Sequence, residues 1–249
     1  MALVEYVVKN KIAYITLNRP EKRNAINLQM KDDIVACMRR YDEDKSAWVA
    51  IVSGNGPAFC TGIDLTELAI ENAAEVDRLY LDILRVKKPL ICLLHGFALA
   101  QGDGIAFCCD IRIAAEGCQF GWPQAKRGIS SISGPSFAAH HLPLGYAYEF
   151  LFTGNFFDSN EAYRLNMVNR VVPQDKLMAA GEELASQILE CAPKAVQTMK
   201  EAVQRGMQMP LAERMHTAGV LLSENLKSHD AQEGLKAFAE KRKPNYTGE

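Results

Sequence analysis

The chain has 249 residues, of which 48% are hydrophobic and 23% charged, and its formal net charge is -2 at pH 7. This length and composition predict one large domain, or one domain with a small appendage, around a sizeable core. The small net charge gives no reason to expect nucleic acid or an acidic membrane surface as a partner.

The sequence is expected to be that of a cytoplasmic protein with reduced thiols. Its apolar runs are shorter than a membrane span, and its first residues lack the long apolar stretch of a secretory signal. Seven cysteines, none of them in a CxxC pair, are predicted to be reduced and mostly buried. A redox or zinc role for them is the minor alternative.

The first part of the chain predicts a hairpin, a helix and a strand. Residues 4–8 and 12–17 have the pattern of two strands joined by a short turn. Asn27 is predicted to cap a helix over residues 28–41, whose apolar side chains recur on one face. Residues 48–52 follow as a short buried strand.

A loop-to-helix entry comes next, at residues 58–65. The helix after it is expected to run to about Val86, where a Lys-Lys-Pro sequence ends it. Asp64 lies near the expected start of this helix, and its favoured role is that of an N-cap or an anion in the first turn.

Residues 90–113 contain a strand–turn–helix pattern around which the rest of the chain is organised. The segment opens with an apolar run of strand length and continues into a turn with Gly96, Gly102 and Gly104. Glycines let the backbone turn sharply and approach a ligand. The N-terminus of the helix that starts near Gln101 suits a phosphate or a developing oxyanion. A plain strand–turn–helix junction is the alternative, because short glycine patterns are weak signals.

Strands and helices alternate up to this point, which predicts an α/β fold with a parallel sheet. Residues 111–114 read as another strand, residues 120–124 as extended chain, and residues 128–135 as a Ser/Gly loop. From Ser136 onward the pattern is helical, with predicted helices at residues 136–142, 146–152, 159–165, 174–191, 194–205, 211–227 and 231–241. The last third is therefore expected to be a helical subdomain without a sheet of its own.

Six blocks of sequence carry a resemblance to a known family: LNRPEKRNAI (17–26), AFCTGIDL (58–65), HGFALAQGDGIAFCCDIRIAA (95–115), FGWPQAKRG (120–128), FTG (152–154) and AFAEKRKPNY (237–246). In this order and spacing the chain resembles the crotonase superfamily, which comprises the enoyl-CoA hydratases, enoyl-CoA isomerases and their relatives. The resemblance implies an α/β fold with a crotonase-like ββα spiral core in residues 1–190 and a C-terminal helical trimerisation region in residues 191–249. It also implies a homotrimer or a dimer of trimers, an acyl-CoA thioester as substrate, and no cofactor besides the coenzyme A of that substrate.

In this family two backbone N–H groups receive the negative charge of a thioester enolate or tetrahedral oxyanion. By position, the resemblance assigns these donors to Ile63 and Gln101. Backbone donors survive a change of side chain, so the oxyanion hole can persist with these residues. Gln101 is nevertheless a departure, since the family pattern usually has the middle of three glycines there, and its side chain is expected to narrow the pocket or turn away from it.

The resemblance also implies residues that bind the coenzyme. Lys22 and Arg23 are expected to supply charge for its phosphates. The remaining implied positions line the adenine and pantetheine path or the thioester: Ala25, Cys60, Gly62, Ile63, Asp64, Leu65, Gln101 and Gly102. Phe238 and Lys241 match a C-terminal contact that usually reaches a neighbouring subunit, although an ordinary amphipathic helix with a basic end would look the same.

The acid–base positions are where the chain departs most from the family. Hydratases carry two glutamates, which by motif fall on Gly104 and Gln124, and some isomerases carry a carboxylate near Ile132. None of these three residues is a carboxylate, and the amide of Gln124 can hold a water but cannot take its proton. Losing such groups costs about 10²–10⁴-fold in rate each.

Other polar groups of the sequence are candidates to replace these carboxylates. Asp64 and Glu67 flank one predicted donor, whereas Asp103 is expected to serve the helix dipole and to point away from position 104. His95 is expected to be a satisfied histidine at a strand end. His140 and His141 are expected early in a helix, where adjacent residues do not face one pocket. Ser130, Ser131 and Ser133 are expected at most to hydrogen-bond a substrate, because no histidine–carboxylate pair marks a nucleophile.

Three hypotheses remain open from the sequence. The chain is an acyl-CoA lyase or isomerase with an unidentified acid–base group, or a family member whose reaction needs few carboxylates, such as a malonyl-type decarboxylase or a thioester hydrolase. The third hypothesis is a CoA-thioester-binding protein without turnover.

Overall fold

The computed structural model describes residues 2–67, 76 and 78–249. The strands of this part are β1 (Val4–Lys9), β2 (Ile12–Leu17), β3 (Val49–Gly54), β4 (Leu90–Leu94), β5 (Phe97–Leu99), β6 (Ile111–Ala115), β7 (Gln119–Gly121), β8 (Phe156–Asp158) and β9 (Arg170–Val172). The α-helices are α1 (Leu28–Glu43), α2 (Leu79–Leu84), α3 (Gln101–Cys108), α4 (Ser133–His141), α5 (Leu144–Thr153), α6 (Ser159–Arg164), α7 (Leu177–Leu189), α8 (Pro193–Gly206), α9 (Leu211–Asn225) and α10 (His229–Ala239).

The strands form two sheets. The larger one has the order β1-β2-β3-β4-β6-β9, in which β1 and β2 are antiparallel and every later pair is parallel. The smaller one has the order β5-β7-β8, with β5 parallel to β7 and β7 antiparallel to β8. The chain therefore passes twice from the large sheet to the small one, from β4 to β5 and from β6 to β7.

Both faces of the large sheet are covered, which is why its central strands are continuous apolar runs. Every residue of β4 is buried. One face packs against α1 through side chains such as Met30 and Ile34, and the other packs against α7. Gly181 of α7 lies so near the sheet that a Cβ there would be 2.9 Å from the Leu93 side chain.

Most predicted elements are confirmed, with shifted ends. The hairpin, β4 and α1 lie where the sequence predicted them, and the Asn27 side chain accepts a hydrogen bond from the Met30 N–H, as an N-cap does. Of the helix expected after Asp64, residues 65–67 form a turn, α2 forms the end, and residues 68–75 and 77 lie outside the described residues.

Three expectations were wrong. Strands β8 and β9 lie in the part expected to be purely helical, and β5 lies inside the glycine-rich turn. Each has only three residues, which is too short to give a periodic signal. Helix α4 begins at Ser133 rather than at Ser136, because Pro135 fits the first turn of a helix, where its missing N–H is not needed.

The last helices attach to the core and expose apolar side chains. Lys200 of α8 donates from Nζ to the Lys88 carbonyl at 2.9 Å and to Asp110 Oδ2 at 2.8 Å, which ties this helix to the sheet. The large apolar side chains exposed along residues 193–239 are Met199, Val203, Met207, Leu211, Met215, Val220, Leu222, Leu226, Leu235 and Phe238. In the described part of the chain, no helix has the length and apolar character needed to cross a membrane. The boundary between the two predicted regions at residue 190 stays a prediction.

All seven cysteines are free thiols. Five of them are buried, whereas Cys37 is half-buried and Cys191 is exposed. Burial raises the pKa of the Cys60 thiol to about 12, so this residue of the predicted binding path is held as a neutral thiol.

Candidate active site

The two segments that carry the predicted oxyanion donors lie side by side. Cys60 pairs in parallel with Ala98, and the Leu99 N–H donates to the Cys60 carbonyl at 2.9 Å. Two glycines allow this close approach. A Cβ at Gly62, where φ is +96°, would lie 3.0 Å from the Ala100 Cβ, and a Cβ at Gly102 would lie 2.4 Å from the Cys60 carbonyl oxygen.

Local hydrogen bonds direct the Ile63 N–H away from Ile26. Ile63 forms a parallel bridge with Ile26, in which the neighbouring Gly62 C=O and Asp64 N–H bond to Ile26 at 2.7 and 2.9 Å. The N–H of the bridging residue itself therefore points to the opposite side. Gln101 is the first residue of α3, and the first N–H groups of a helix lie at its positive end. Both predicted donors are thus brought to one place.

The turn into α3 has an unusual backbone. Ala100 has φ +52° and ψ -114°, a conformation that glycine adopts far more readily than alanine. Such strain costs about 1–3 kcal/mol. The Gln101 side chain is buried, and its Oε1 lies 3.3 Å from the position of a Cβ on Gly62. The bulky residue at this position therefore lies against the junction instead of in solvent.

Two polar residues that the sequence reasoning missed hold these loops together. Asn24 is fully buried, and its Nδ2 donates to the carbonyls of Ala58 and Phe59 at 2.9 and 3.0 Å. Arg19 is buried as well and donates from Nη1 to Asp64 Oδ2 at 2.8 Å and to the Ala25 carbonyl at 2.9 Å. The sequence placed both residues inside a motif but gave no sign of their distant partners.

Asp64 and Glu67 serve this support network, which makes them weak candidates for proton transfer. Burial opposes the ionisation of Asp64, but hydrogen bonds from Thr66 and pairing with Arg19 outweigh it and lower its pKa to about 2. A hydrogen bond from Asn27, together with the charge of Arg19, lowers the pKa of Glu67 against the opposing effect of burial. Asp64 caps the turn over residues 65–67, and its ion pair with Arg19 was not foreseen.

The position of the first family glutamate is filled by an aromatic ring. A Cβ added to Gly104 would lie 2.6 Å from both Cζ and Oη of Tyr80. Tyr80 is buried at the start of α2, and its hydroxyl donates to the Gln101 carbonyl at 3.3 Å. Tyr80 was missed because it precedes Gly104 by more than twenty residues and no local pattern links the two.

The other two acid–base positions differ from each other. Gln124 is half-buried, and its Oε1 is enclosed with no hydrogen-bond donor among the described residues. An enclosed acceptor of this kind is suited to a donor from water or a ligand. Ile132 is 64% exposed at the start of α4. Ser131 accepts hydrogen bonds from the Trp122 ring N–H at 3.1 Å and the Gly134 N–H at 2.9 Å, so it supports α4.

The burial of Asp103 opposes its expected role as an anion on the helix dipole. It is fully buried in the first turn of α3, and burial raises its pKa well above the ordinary value, against the hydrogen bond that Oδ2 accepts from the Gly121 N–H at 3.0 Å. Burial thus works against the charged carboxylate. Its second oxygen has no partner among the described residues.

The histidines lie elsewhere. His95 has its Nε2 2.9 Å from the Gly56 carbonyl, which confirms the satisfied histidine at a strand end. His140 and His141 lie in the last turn of α4, not early in the helix, because that helix ends at His141. Contrary to expectation, both border one cavity. In the described part of the chain, no three His, Cys, Asp or Glu residues are grouped so that they could hold a metal.

The predicted coenzyme-binding residues form two groups. Lys22 and Arg23 are exposed beside the segment that carries Ile63, and Lys22 Nζ lies 3.5 Å from Thr66 Oγ1. Ala25, Cys60 and Gly62 are buried beneath them, and Leu65 is exposed. Phe238 is 86% exposed near the end of α10, and Lys241 follows the helix with φ +55°.

Comparison with known proteins agrees with this geometry over almost the whole chain. The model of the enoyl-CoA hydratase/isomerase family matches residues 8–249. A short-chain-enoyl-CoA hydratase of Clostridium acetobutylicum is 31% identical over 244 residues, which cover 94% of both chains. A mevalonyl-coenzyme A hydratase of Aspergillus fumigatus is 34% identical, over 94% of this chain and 91% of its own.

Solved structures agree as well. An enoyl-CoA hydratase of Mycobacterium marinum superposes with a TM-score of 0.91 at 31% identity, and all of both chains is covered. An enoyl-CoA hydratase/isomerase of Mycobacterium paratuberculosis reaches a TM-score of 0.94 at 27% identity, over 99% of each chain. The fold is thus the crotonase fold, and the chain belongs to the enoyl-CoA hydratase/isomerase family.

Proposed function

We propose that this chain binds an acyl-CoA thioester and stabilises its enolate or oxyanion with the N–H groups of Ile63 and Gln101, without the two glutamates of the hydratases. The observation that carries the proposal is the contact between Gly62 and Ala100, which puts the residues after them at one junction. A single backbone donor in an oxyanion hole contributes about 3–4 kcal/mol to transition-state stabilisation in other enzymes.

The residues around this junction support the missing-carboxylate part of the proposal. Tyr80 fills the space at Gly104, an amide stands at Gln124, and Asp64 is paired with Arg19. Binding and enolate stabilisation are expected to survive these changes, whereas water lacks its usual base. In this proposal Lys22 and Arg23 meet the coenzyme phosphates, Phe238 and Lys241 contact a neighbouring subunit's coenzyme, and the chain works in the cytoplasm with no cofactor beyond the coenzyme A of its substrate.

A panel of acyl-CoA substrates tests the proposal. Crotonyl-CoA hydration by the wild type is expected to be at least ~10²-fold slower than by a family hydratase with both glutamates, because the acid–base groups are absent. Product masses distinguish hydration, isomerisation, decarboxylation and hydrolysis, and binding without any turnover would favour the non-catalytic hypothesis. Fast hydration by the wild type would contradict the proposal.

Two changes at one residue test the donor itself. Gln101→Ala keeps the backbone N–H and is expected to retain at least about a tenth of any turnover, whereas Gln101→Pro removes that donor and should abolish turnover. Identical behaviour of the two variants would show that the assignment is wrong.

Gln124→Glu adds a carboxylate at the second family position and is expected to add proton transfer between substrate carbons. The first position is less suitable, since Gly104→Glu would drive its side chain into Tyr80.

A further inference from the structure

Tyr80 begins a row of aromatic rings behind the proposed thioester site. Its ring meets Phe137 edge to face, with centroids 5.2 Å apart and planes at 83°. Phe137 lies 6.3 Å from Phe107, and Phe107 stacks on His141 at 4.6 Å with planes at 9°. Aromatic pairs in these arrangements are stabilising beyond their burial, so the row is a packed wall and not a set of loose side chains.

A cavity of about 460 Å³ lies on the far side of this wall. Part of its lining is apolar and comes from Leu84, Phe107, Cys108, Cys109, Phe137 and Met207, and the other part is polar and comes from Asp110, Arg112, Ser136, His140, His141 and Gln204. Tyr80 does not line the cavity. Phe137 therefore separates Tyr80 from this space.

The geometry of α3 connects the two sides of the wall. Gln101, Gly104 and Cys108 are three and four residues apart, so they lie along one face of the helix. At 1.5 Å per residue, Cys108 lies about 10 Å along the axis from Gln101. The face thus runs from the proposed oxyanion donor, past the gap at Gly104 that Tyr80 fills, to the mouth of the cavity.

We propose that Tyr80, backed by Phe137, closes the acyl site at Gly104 and restricts this chain to short acyl groups. The inference rests on the proposed function, because it takes the thioester oxygen to lie at the N–H groups of Ile63 and Gln101. An acyl chain that leaves this point along α3 meets the Tyr80 ring before it reaches the cavity. Without that ring, the acyl site and the cavity join, and a longer chain gains a partly apolar place to extend into.

Calorimetric titration with saturated acyl-CoAs tests this specificity, since saturated ligands give an affinity that does not depend on turnover. Butyryl-, octanoyl- and dodecanoyl-CoA are titrated below their micellar concentrations, with free coenzyme A as the reference. The wild type is expected to bind butyryl-CoA at least ~10-fold more tightly than dodecanoyl-CoA. In Tyr80→Ala this preference should fall by at least ~10-fold or reverse. Tyr80→Phe keeps the ring and loses only the hydroxyl, so it is the matched control and should keep the wild-type preference.

The folding of each variant is checked by thermal melting, because Tyr80 is a core residue. If Tyr80→Ala does not fold, Tyr80→Leu and Phe137→Ala open the same wall with smaller or more distant changes and should give the same shift. A wild type that binds all three chain lengths alike, or folded wall variants that keep the wild-type preference, would overturn this inference and leave the proposed function intact. A wild type that binds none of the acyl-CoAs more tightly than free coenzyme A would overturn the proposed function itself.

Discussion

At the scale of single residues, charge and backbone conformation determine how the loops around the junction are held. Arg19 is 6% exposed and Asp64 is 5% exposed, and their ion pair joins the loop before α1 to the turn that carries Ile63. Glu67 extends the pair but is 42% exposed, so solvent screens it far more. The turn that carries Ile63 is therefore held mainly by the ion pair of Arg19 with the buried Asp64, and less by the pair with Glu67.

Replacing the buried carboxylate should destabilise the protein in a pH-dependent way. The pKa of Asp64 is lowered to about 2 in the folded chain, against about 3.9 when unfolded, so ionised Asp64 stabilises the folded state above the unfolded value. Asp64→Asn is expected to lower the free energy of unfolding at pH 7 by about 2 kcal/mol. This difference from the wild type should disappear as the pH falls from about 4 to about 2.

Urea unfolding at pH 7 and at pH 3 measures both effects. Glu67→Gln is the matched control. It removes the exposed carboxylate and should lower the free energy of unfolding at pH 7 much less than Asp64→Asn does. An Asp64→Asn difference that is the same at both pH values would contradict the ion-pair explanation.

The backbone of Ala100 gives a second prediction at this scale. Since φ +52° with ψ -114° strains alanine, Ala100→Gly should relieve the strain and outweigh the added freedom of glycine in the unfolded chain. We expect the free energy of unfolding to rise by about 1 kcal/mol, which raises the melting temperature of a chain of this size by roughly 2–4 °C. Ala98→Gly, in the neighbouring strand β5, is the control and should lower it. If the melting temperature fell by a similar amount in both variants, Ala100 would not be strained.

At the scale of elements, the sequence predicted what local patterns determine. The apolar run of β4, the hairpin and the Asn27 cap are local signals, and the structure has them in place. The short strands β5, β8 and β9 depend on partners far along the chain, so no periodicity marks them. Local sequence therefore gives the layers of the fold but not the small sheet that positions α3.

The site shows the same division. Motif resemblance assigned the predicted donors to Ile63 and Gln101, whose segments meet at one junction in the structure. The loss of the two family carboxylates at Gly104 and Gln124 stays a prediction. The resemblance could not reveal Tyr80, because what fills the gap at Gly104 is a tertiary contact with a different helix. The strain at Ala100 and the raised pKa of the buried Asp103 likewise follow from packing that sequence spacing does not encode.

At the scale of the whole molecule, the exposed apolar side chains of residues 193–239 suggest how copies of the chain associate. Met199, Met215 and Leu235 are each about two-thirds exposed, at 67%, 68% and 65%. Apolar surface of this kind marks sites of protein contact in soluble proteins. The proposed homotrimer or dimer of trimers would cover it.

Sedimentation measures this assembly directly. With a chain mass of 27.6 kDa, the wild type is expected to sediment as three or six chains at micromolar concentration. Met215→Glu places a charge on the apolar surface and should shift the distribution toward smaller species, whereas Val7→Glu, on the exposed side of β1, should not. A monomeric wild type would contradict the prediction.

We expect a refolding chain to acquire the proposed oxyanion hole late. The two donors belong to segments far apart in sequence, and parallel pairing such as that between Cys60 and Ala98 forms only after a long loop has been closed. Helices and the hairpin between β1 and β2 need no such closure. Partly folded chains can therefore have much of their secondary structure and still be unable to bind a thioester. Thioester binding during refolding thus measures how much of the chain has reached the complete fold.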